Sequence, residues 1–294
     1  MNLRALIAGL LQHERLNFAL TNQIPRRSLT LFVGWFSKIR HPWVRTVSIA
    51  LWRFFADVDL NDASKARYES LHECFTRALK PGARPVDRDP AVLISPCDAL
   101  IGASGRIRAG TVLQAKGQPY ALAELLGDSE LARHYCDGVY VTLRLTAGMY
   151  HRFHAPYDCR VMRVNYFSGD TWNVNPIALA RVARLFCKNE RAVIRCRLVG
   201  SGRLVTLVPV AAILVASIRL HFLDTRMHLR YRGPDAFACD VPLGKGAEMG
   251  WFEHGSTLLL FAPADYELHP DLALASRIRM GERLLRIAEN RPRV

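Results

Sequence analysis

Apolar and polar positions follow two different periods along this chain, and the change falls near residue 60. Before it, apolar residues recur at the three-to-four spacing of amphipathic helices over residues 3–20, 29–39 and 44–56, with Pro25 and Pro42 as breaks, and the same spacing returns over 64–78. After Pro81 the pattern shortens into strand-like runs at 139–145, 160–166, 192–198 and 257–261, separated by Gly, Asp and Asn. Residues 122–126 and 176–183 read as short helices. The longest apolar stretch, 204–218, contains Thr206, Pro209 and Ser217. It falls short of the roughly 20 residues a spanning helix needs, and its β-branched content predicts buried strand. The expected fold class is α+β, with N-terminal amphipathic helices over 1–60 and a mainly antiparallel β core over 61–294.

Within the β region, Ser95-Pro96-Cys97-Asp98-Ala99-Leu100-Ile101 and Ala155-Pro156-Tyr157-Asp158-Cys159-Arg160-Val161 share the pattern small-Pro-x-Asp-small-x-aliphatic. Two equivalent turn entries into a duplicated sheet would produce this echo, as would chance similarity of two turns.

Composition adds little until the charge is located. The chain has 294 residues, half of them hydrophobic, enough to bury the core of one large domain or two small ones. Its net charge is +14, and half of that excess lies before Asp57, where eight Arg and Lys side chains face Glu14 alone. The same stretch carries Trp35, Phe36, Trp43, Trp52, Phe54 and Phe55. Basic residues interleaved with aromatic ones suit helices lying in an anionic lipid interface. They equally suit a basic hairpin packed on its own domain, and less well a single-stranded nucleic-acid binder. The apolar run from Ala5 to Leu11 is broken by Gln12, His13, Glu14 and Arg15 and lacks a cleavage site, so a signal peptide is not expected. Seven scattered cysteines without a CxxC pair point to free thiols in a reducing compartment and to no zinc site.

The candidate chemistry centres on His254-Gly255-Ser256-Thr257. Self-cleavage wants an unhindered acyl donor directly before a hydroxyl nucleophile, which a Gly-Ser pair supplies; most such pairs are plain turns. Here the pair is preceded by Lys245-Gly246-Ala247-Glu248-Met249-Gly250-Trp251-Phe252-Glu253. Upstream stand Gly82-Ala83-Arg84-Pro85-Val86-Asp87, Ser95-Pro96-Cys97-Asp98 and Tyr150-His151-Arg152-Phe153-His154-Ala155-Pro156. Between them and the Gly-Ser pair lie Gly169-Asp170-Thr171-Trp172-Asn173-Val174-Asn175-Pro176 and Leu185-Phe186-Cys187-Lys188-Asn189-Glu190-Arg191. In content and order these blocks resemble the phosphatidylserine decarboxylases, over most of the chain from about Asp57 onward.

The resemblance implies a proenzyme cut between Gly255 and Ser256 into a large chain, 1–255, and a small chain, 256–294, that stay associated. Ser256 then becomes a covalent pyruvoyl group, the cofactor on which a Schiff base forms while phosphatidylserine is converted to phosphatidylethanolamine and carbon dioxide. It carries over Asp98, His154 and Ser256 as the cleavage machinery and His151 as the proton donor in turnover. The implied partners are phosphatidylserine and the bilayer surface, on the cytoplasmic side of the cell membrane, with no nucleic acid; homo-oligomerisation is left open. On bland readings Asp98 is an Asx-turn residue, and His151 and His154 flank a strand end rather than hold a metal. Arg277, Arg279, Arg283 and Arg286 either extend the basic face or form a solvated helix face. Ala99 and Cys159 stand where the family has glycine, which predicts altered turns. Residues 210–218 are more aliphatic than expected, and His254 replaces a smaller or aliphatic residue. Two other classes remain: a serine hydrolase using Asp98, His154 and Ser256 on an external ester, and a non-enzymatic adaptor using the basic helices.

Overall fold

The helical periodicity of the first fifth becomes three helices, α1 (Glu14–Asn22), α2 (Arg26–Phe36) and α3 (Pro42–Ala56), in a computed structural model that describes residues 13–114, 118–214, 217–253 and 256–288, with Ser256 described in its backbone only. The expected helix over 3–20 therefore lies mostly outside the described residues. Pro42 opens α3 rather than breaking a helix: at the first position its missing N–H costs nothing. Asp57, in the left-handed conformation at φ 48°, ends it.

The expected helix over 64–78 shrinks to α4 (Leu71–Phe75). Ser70 caps it by accepting the Glu73 N–H at 3.1 Å. The flanks are instead folded back on each other, Ser64 N–H donating to the Ala78 carbonyl at 3.0 Å, so tertiary pairing overrides the periodicity.

Among the described residues seventeen strands follow, interspersed with four short helices. The first group is β1 (Val92–Ile94), β2 (Ala99–Arg106), β3 (Thr111–Leu113), β4 (Pro119–Ala121), α5 (Leu122–Leu126), α6 (Ser129–Arg133), β5 (Val139–Leu145), β6 (Arg152–His154) and β7 (Cys159–Phe167). Next come α7 (Pro176–Arg181), α8 (Leu185–Lys188), β8 (Arg191–Leu198), β9 (Leu204–Ala211), β10 (Ser217–Leu220), β11 (Arg226–His228) and β12 (Ala236–Leu243). The last are β13 (Glu248–Phe252), β14 (Ser256–Ala262), β15 (Tyr266–Leu268), β16 (Arg277–Ile278) and β17 (Arg283–Ile287).

An eight-stranded antiparallel sheet, ordered β12-β7-β8-β9-β14-β5-β2-β16, forms the backbone of the molecule. Strand alternation sorts its side chains. Val141, Leu143, Leu258 and Leu260 face the smaller sheets β1-β17-β15 and β11-β10-β13-β6, whereas Tyr140, Leu259 and Phe261 face the short helices α5 to α8. The chain is thus α+β with a mainly antiparallel core.

Two expectations are corrected. Residues 204–218 are not one strand: β9 ends at Ala211, residues 212–214 turn with the Leu214 N–H bonded to Thr30 Oγ1 of α2 at 3.1 Å, and β10 joins the other sheet. The C-terminal arginines form no helix face: Arg277, Arg283 and Arg286 lie on strands and Arg279 just after β16, and Arg283 and Arg286 pair with Asp87 and Glu267 at 2.6 and 2.9 Å.

The sequence echo corresponds to a reciprocal pair of turns, β1 into β2 and β6 into β7. Ile94 N–H donates to the Pro156 carbonyl at 3.0 Å, and His154 N–H to the Pro96 carbonyl at 2.8 Å. Asp98 Oδ1 accepts the Met280 N–H at 2.9 Å where Asp158 Oδ1 accepts that of Lys245 at 2.7 Å. Gly281 and Gly246, both at positive φ, donate to the Ser95 and Ala155 carbonyls. Ala99 and Cys159, each the buried first residue of a strand, have no positive φ and need no glycine, so the turns are not altered by these substitutions.

Candidate active site

At one end of the large sheet a row of paired residues runs Leu100, Arg144, Thr257, Val210, Arg191 across five strands. Ser256 is the next position outward on β14, held between Leu145 and Ala211. Its predecessors His254 and Gly255 lie outside the described residues; they connect β14 to β13, which belongs to the smaller sheet. Glu253 ends that smaller-sheet segment, with basic side chains from three regions around it: Lys38 at 3.7 Å, His72 at 3.9 Å, whose pKa burial lowers, and Arg226 in direct hydrogen bond.

His154 is buried on β6. Its Nδ1 lies 3.0 Å from the Gly246 carbonyl and its Nε2 3.1 Å from the Tyr150 hydroxyl. A carbonyl only accepts, so Nδ1 carries the proton and Nε2 accepts from Tyr150. Burial lowers the His154 pKa, against the Gly246 hydrogen bond and the charge of Glu248, so the ring is neutral at pH 7. The group that orients His154 is therefore a backbone carbonyl.

Asp98 has a different partner. Arg84 grips its carboxylate with Nε at 2.9 Å and Nη2 at 2.6 Å, and the Met280 N–H adds a third donor. This hydrogen bonding raises the Arg84 pKa, while burial opposes it. No described hydrogen bond joins Asp98 to His154; the two are linked through backbone, by the His154 N–H on Pro96. Removing Arg84 would strand a buried carboxylate, a loss on the order of 3–5 kcal/mol.

His151 is fully buried, its ring stacked on Phe75 with centroids 4.1 Å apart. Its carbonyl accepts the Phe252 N–H at 3.0 Å, placing it against the segment that leads to Ser256. The preceding turn is clamped by the helical region. Gly148 sits so close to α3 that a Cβ there would come 2.0 Å from the Ala56 carbonyl oxygen, and Arg77 donates to the Gly148 and Met149 carbonyls at 3.0 and 3.2 Å. Only glycine permits that approach.

Beside these groups opens an apolar cavity of about 440 Å³. Val33, Trp52, Leu71 and Phe75 from α2, α3 and α4 form one wall; Arg144 to Ala147, Asn173 to Asn175 and Ala212 to Leu214 form the other. The aliphatic 210–218 segment thus contributes to the cavity lining. Among the described residues no cluster of His, Cys, Asp or Glu could hold a metal ion, and the seven cysteines are free thiols.

Sequence reasoning singled out Asp98, His151, His154 and Ser256; the structure links His154 to the turn before Asp98 and His151 to the strand that leads toward Ser256 through backbone hydrogen bonds, and no described contact joins Ser256 itself to any of the three. Sequence reasoning missed Arg84, Tyr150 and Gly246 as their partners. All three stood inside the quoted motif blocks, but the partner each one binds appears only in the folded chain.

The sequence profile of phosphatidylserine decarboxylase matches residues 71–286. A phosphatidylserine decarboxylase proenzyme of Anaeromyxobacter sp. (strain K) is 36% identical over 284 residues, covering 92% of this chain and 98% of that protein. The proenzyme of Chromobacterium violaceum has the same identity and coverage, and that of Stutzerimonas stutzeri is 34% identical over 271 residues, 89% of this chain and 91% of its own. Motif order, a serine at a strand end between two sheets, and similarity over nearly the whole length agree: the chain belongs to the phosphatidylserine decarboxylase family.

Proposed function

We propose that the chain is a proenzyme that cuts itself between Gly255 and Ser256 and then decarboxylates phosphatidylserine to phosphatidylethanolamine with a pyruvoyl group made from Ser256. The observation that carries this reading is the position of Ser256, first in a strand held on both sides and beside a mainly apolar cavity of about 440 Å³, with two buried histidines on the neighbouring segments. The site fits a covalent group at residue 256. Pairing of 256–261 to both β5 and β9 would keep a new chain end in place, and the neighbouring Thr257 hydroxyl is buried without a hydrogen-bond partner.

In maturation, the Ser256 hydroxyl replaces that of Tyr150 on the single acceptor nitrogen of neutral His154, Nε2, which takes the proton as Oγ attacks the Gly255 carbonyl, shifting the peptide to an ester. The Gly246 carbonyl holds the Nδ1 proton and so fixes the tautomer. Proton abstraction from the residue 256 Cα opens the ester by β-elimination, and hydrolysis of the resulting dehydroalanine releases ammonia. Asp98, held by Arg84, keeps negative charge beside the His154 backbone and favours the imidazolium that forms. A pyruvoyl carbonyl supplies an electrophile for the substrate amine and a sink for the electrons left when carbon dioxide departs. His151, screened from water by Phe75, returns a proton to the substrate Cα.

Residues 1–60 form the membrane-associating part and 61–294 the catalytic part in this reading. Phe32, Trp35, Trp43, Val47, Leu51, Phe54 and Phe55 are exposed on α2 and α3 beside the basic residues, as an interfacial anchor on the cytoplasmic face of the cell membrane requires. Among the described residues no helix is long and apolar enough to cross a membrane.

Intact mass under denaturing conditions tests the proposal. Two fragments divided at 255/256, the smaller with a pyruvoyl terminus, are expected, and Ser256→Ala should give one full-length, inactive chain. A single full-length mass in active wild-type protein would sink the pyruvoyl mechanism and promote the serine hydrolase.

A further inference from the structure

The cavity beside Ser256 is mainly apolar, and Arg144 is the one charged residue among the described residues that line it. Arg144 lines it near the end of β5, partly buried, and among the described residues no carboxylate or carbonyl is bonded to its guanidinium. Its neighbours at this end of the sheet are all engaged. Arg77 is bonded to carbonyls, Arg84 to Asp98 and Asp62, Arg152 to Glu248 and the Thr76 carbonyl, and Arg191 to the Leu125 carbonyl. Burial alone lowers the Arg144 pKa. Taking a guanidinium partly out of water without a partner is costly, and such a cost points to a ligand that supplies the partner.

Directly across the strand pair stands Thr257, fully buried, whose hydroxyl also has no hydrogen-bond partner. Opposed residues in an antiparallel pair project to the same face, roughly 5 Å apart. Arg144 and Thr257 therefore share one face of the sheet, at the pair next to the residue that would bear the reactive carbonyl.

The phospholipid substrate brings two anions, a carboxylate and a phosphodiester. A guanidinium on the carboxylate would favour the ground state over loss of carbon dioxide, because the charge it binds leaves that group in the transition state. The phosphodiester keeps its charge throughout and sits only a few bonds from the amine. Arg pairs with phosphate through parallel charge-assisted hydrogen bonds.

We propose that Arg144, with the Thr257 hydroxyl beside it, binds the phosphodiester of the substrate and makes the site selective for a phosphoserine headgroup over free amino acids. This assignment rests on the proposed function above.

The test uses the full chain, wild type, Arg144→Gln and Arg144→Lys, each first checked by intact mass for cleavage. With short-chain phosphatidylserine, Arg144→Gln should raise KM roughly ten- to a hundredfold with kcat within about threefold. Arg144→Lys should recover part of the loss. Inhibition by short-chain phosphatidylethanolamine, which has the phosphodiester but no carboxylate, should weaken by the same factor as KM rises. An unchanged KM, or a fall in kcat with product inhibition intact, would overturn the phosphodiester assignment. Failure of both variants to cleave would overturn it too, by placing Arg144 in maturation. A wild-type chain that neither cleaves nor decarboxylates sinks the broader function instead, and shows itself before any variant is compared.

Discussion

His154 donates its Nδ1 proton to a carbonyl, which cannot change charge, so its tautomer is fixed at every pH at which the ring stays neutral. His151 has a separate setting, buried against an aromatic ring. His154→Ala should leave the chain uncleaved, while His151→Ala should cleave yet lose roughly a hundredfold or more in kcat. Intact mass and turnover, measured on both, check this; the same phenotype in both would merge the two roles. Glu190 invites a different measurement. It is fully buried, burial pushes its pKa up to about 7 against the opposing influence of Tyr166, and among the described residues no donor stands in hydrogen-bond geometry to its carboxyl oxygens. The neighbouring Tyr166 hydroxyl donates instead to the His228 carbonyl at 3.1 Å. An acid with a raised folded pKa binds more protons folded than unfolded. Its contribution is full below the unfolded value, near 4.3, and is lost as pH rises to about 7. Glu190→Gln should therefore gain on the wild type as pH rises, by roughly 3 kcal/mol in the limit, or several degrees in Tm between pH 4.5 and pH 8. Parallel Tm curves would refute it. The sequence made His151, His154 and Ser256 visible because their spacing is part of local motifs. It could not show that Asp98 is held by a residue 14 positions away, since that pairing exists only once β1 and β2 have folded.

Helix α3 carries two apolar faces. Ile49 and Trp52 turn inward onto Ala63, Tyr68 and Cys74, and Trp52 packs on Phe75 at 5.6 Å. Trp43, Val47, Leu51 and Phe54, at helical spacing, point outward with Trp43 77% exposed. One face explains why the helix docks, and the other is the surface that the proposed membrane contact would use. Trp43→Ser with Phe54→Ser should cut partitioning onto anionic vesicles at least tenfold while leaving cleavage intact. Unchanged sedimentation with vesicles would remove these residues from the membrane contact. The periodicity that revealed this helix was honest about α2 and α3 and misleading over 64–78. In the last case the flanks found partners in each other's backbone, which no window of local sequence contains. Strands fared better: β5 begins and ends where alternation placed it, because both of its faces are buried and register is correspondingly strict. The break of 204–218 into two strands was hidden, since both parts are buried and equally apolar.

At the scale of the molecule, the segment beyond residue 255 is woven through two sheets. β14 lies between β5 and β9, β16 borders β2, and β17 lies between β1 and β15. A cut ahead of β14 leaves these ladders intact, so the fragments stay together without a covalent link. The molecularity of folding nevertheless changes. The uncut chain assembles in a first-order process, whereas the mature protein, once unfolded, can return only by a bimolecular encounter. Refolding yield of the mature form should fall on dilution, and its denaturation midpoint should shift by about 1.4 kcal/mol of apparent stability per tenfold in concentration. Ser256→Ala should show neither effect, and concentration-independent refolding of a verified two-chain sample would refute the prediction. Under the proposed cleavage, position 256, first in a central strand, would let each molecule assemble as a single thread only once, and every later return to the fold would depend on how often its two pieces meet.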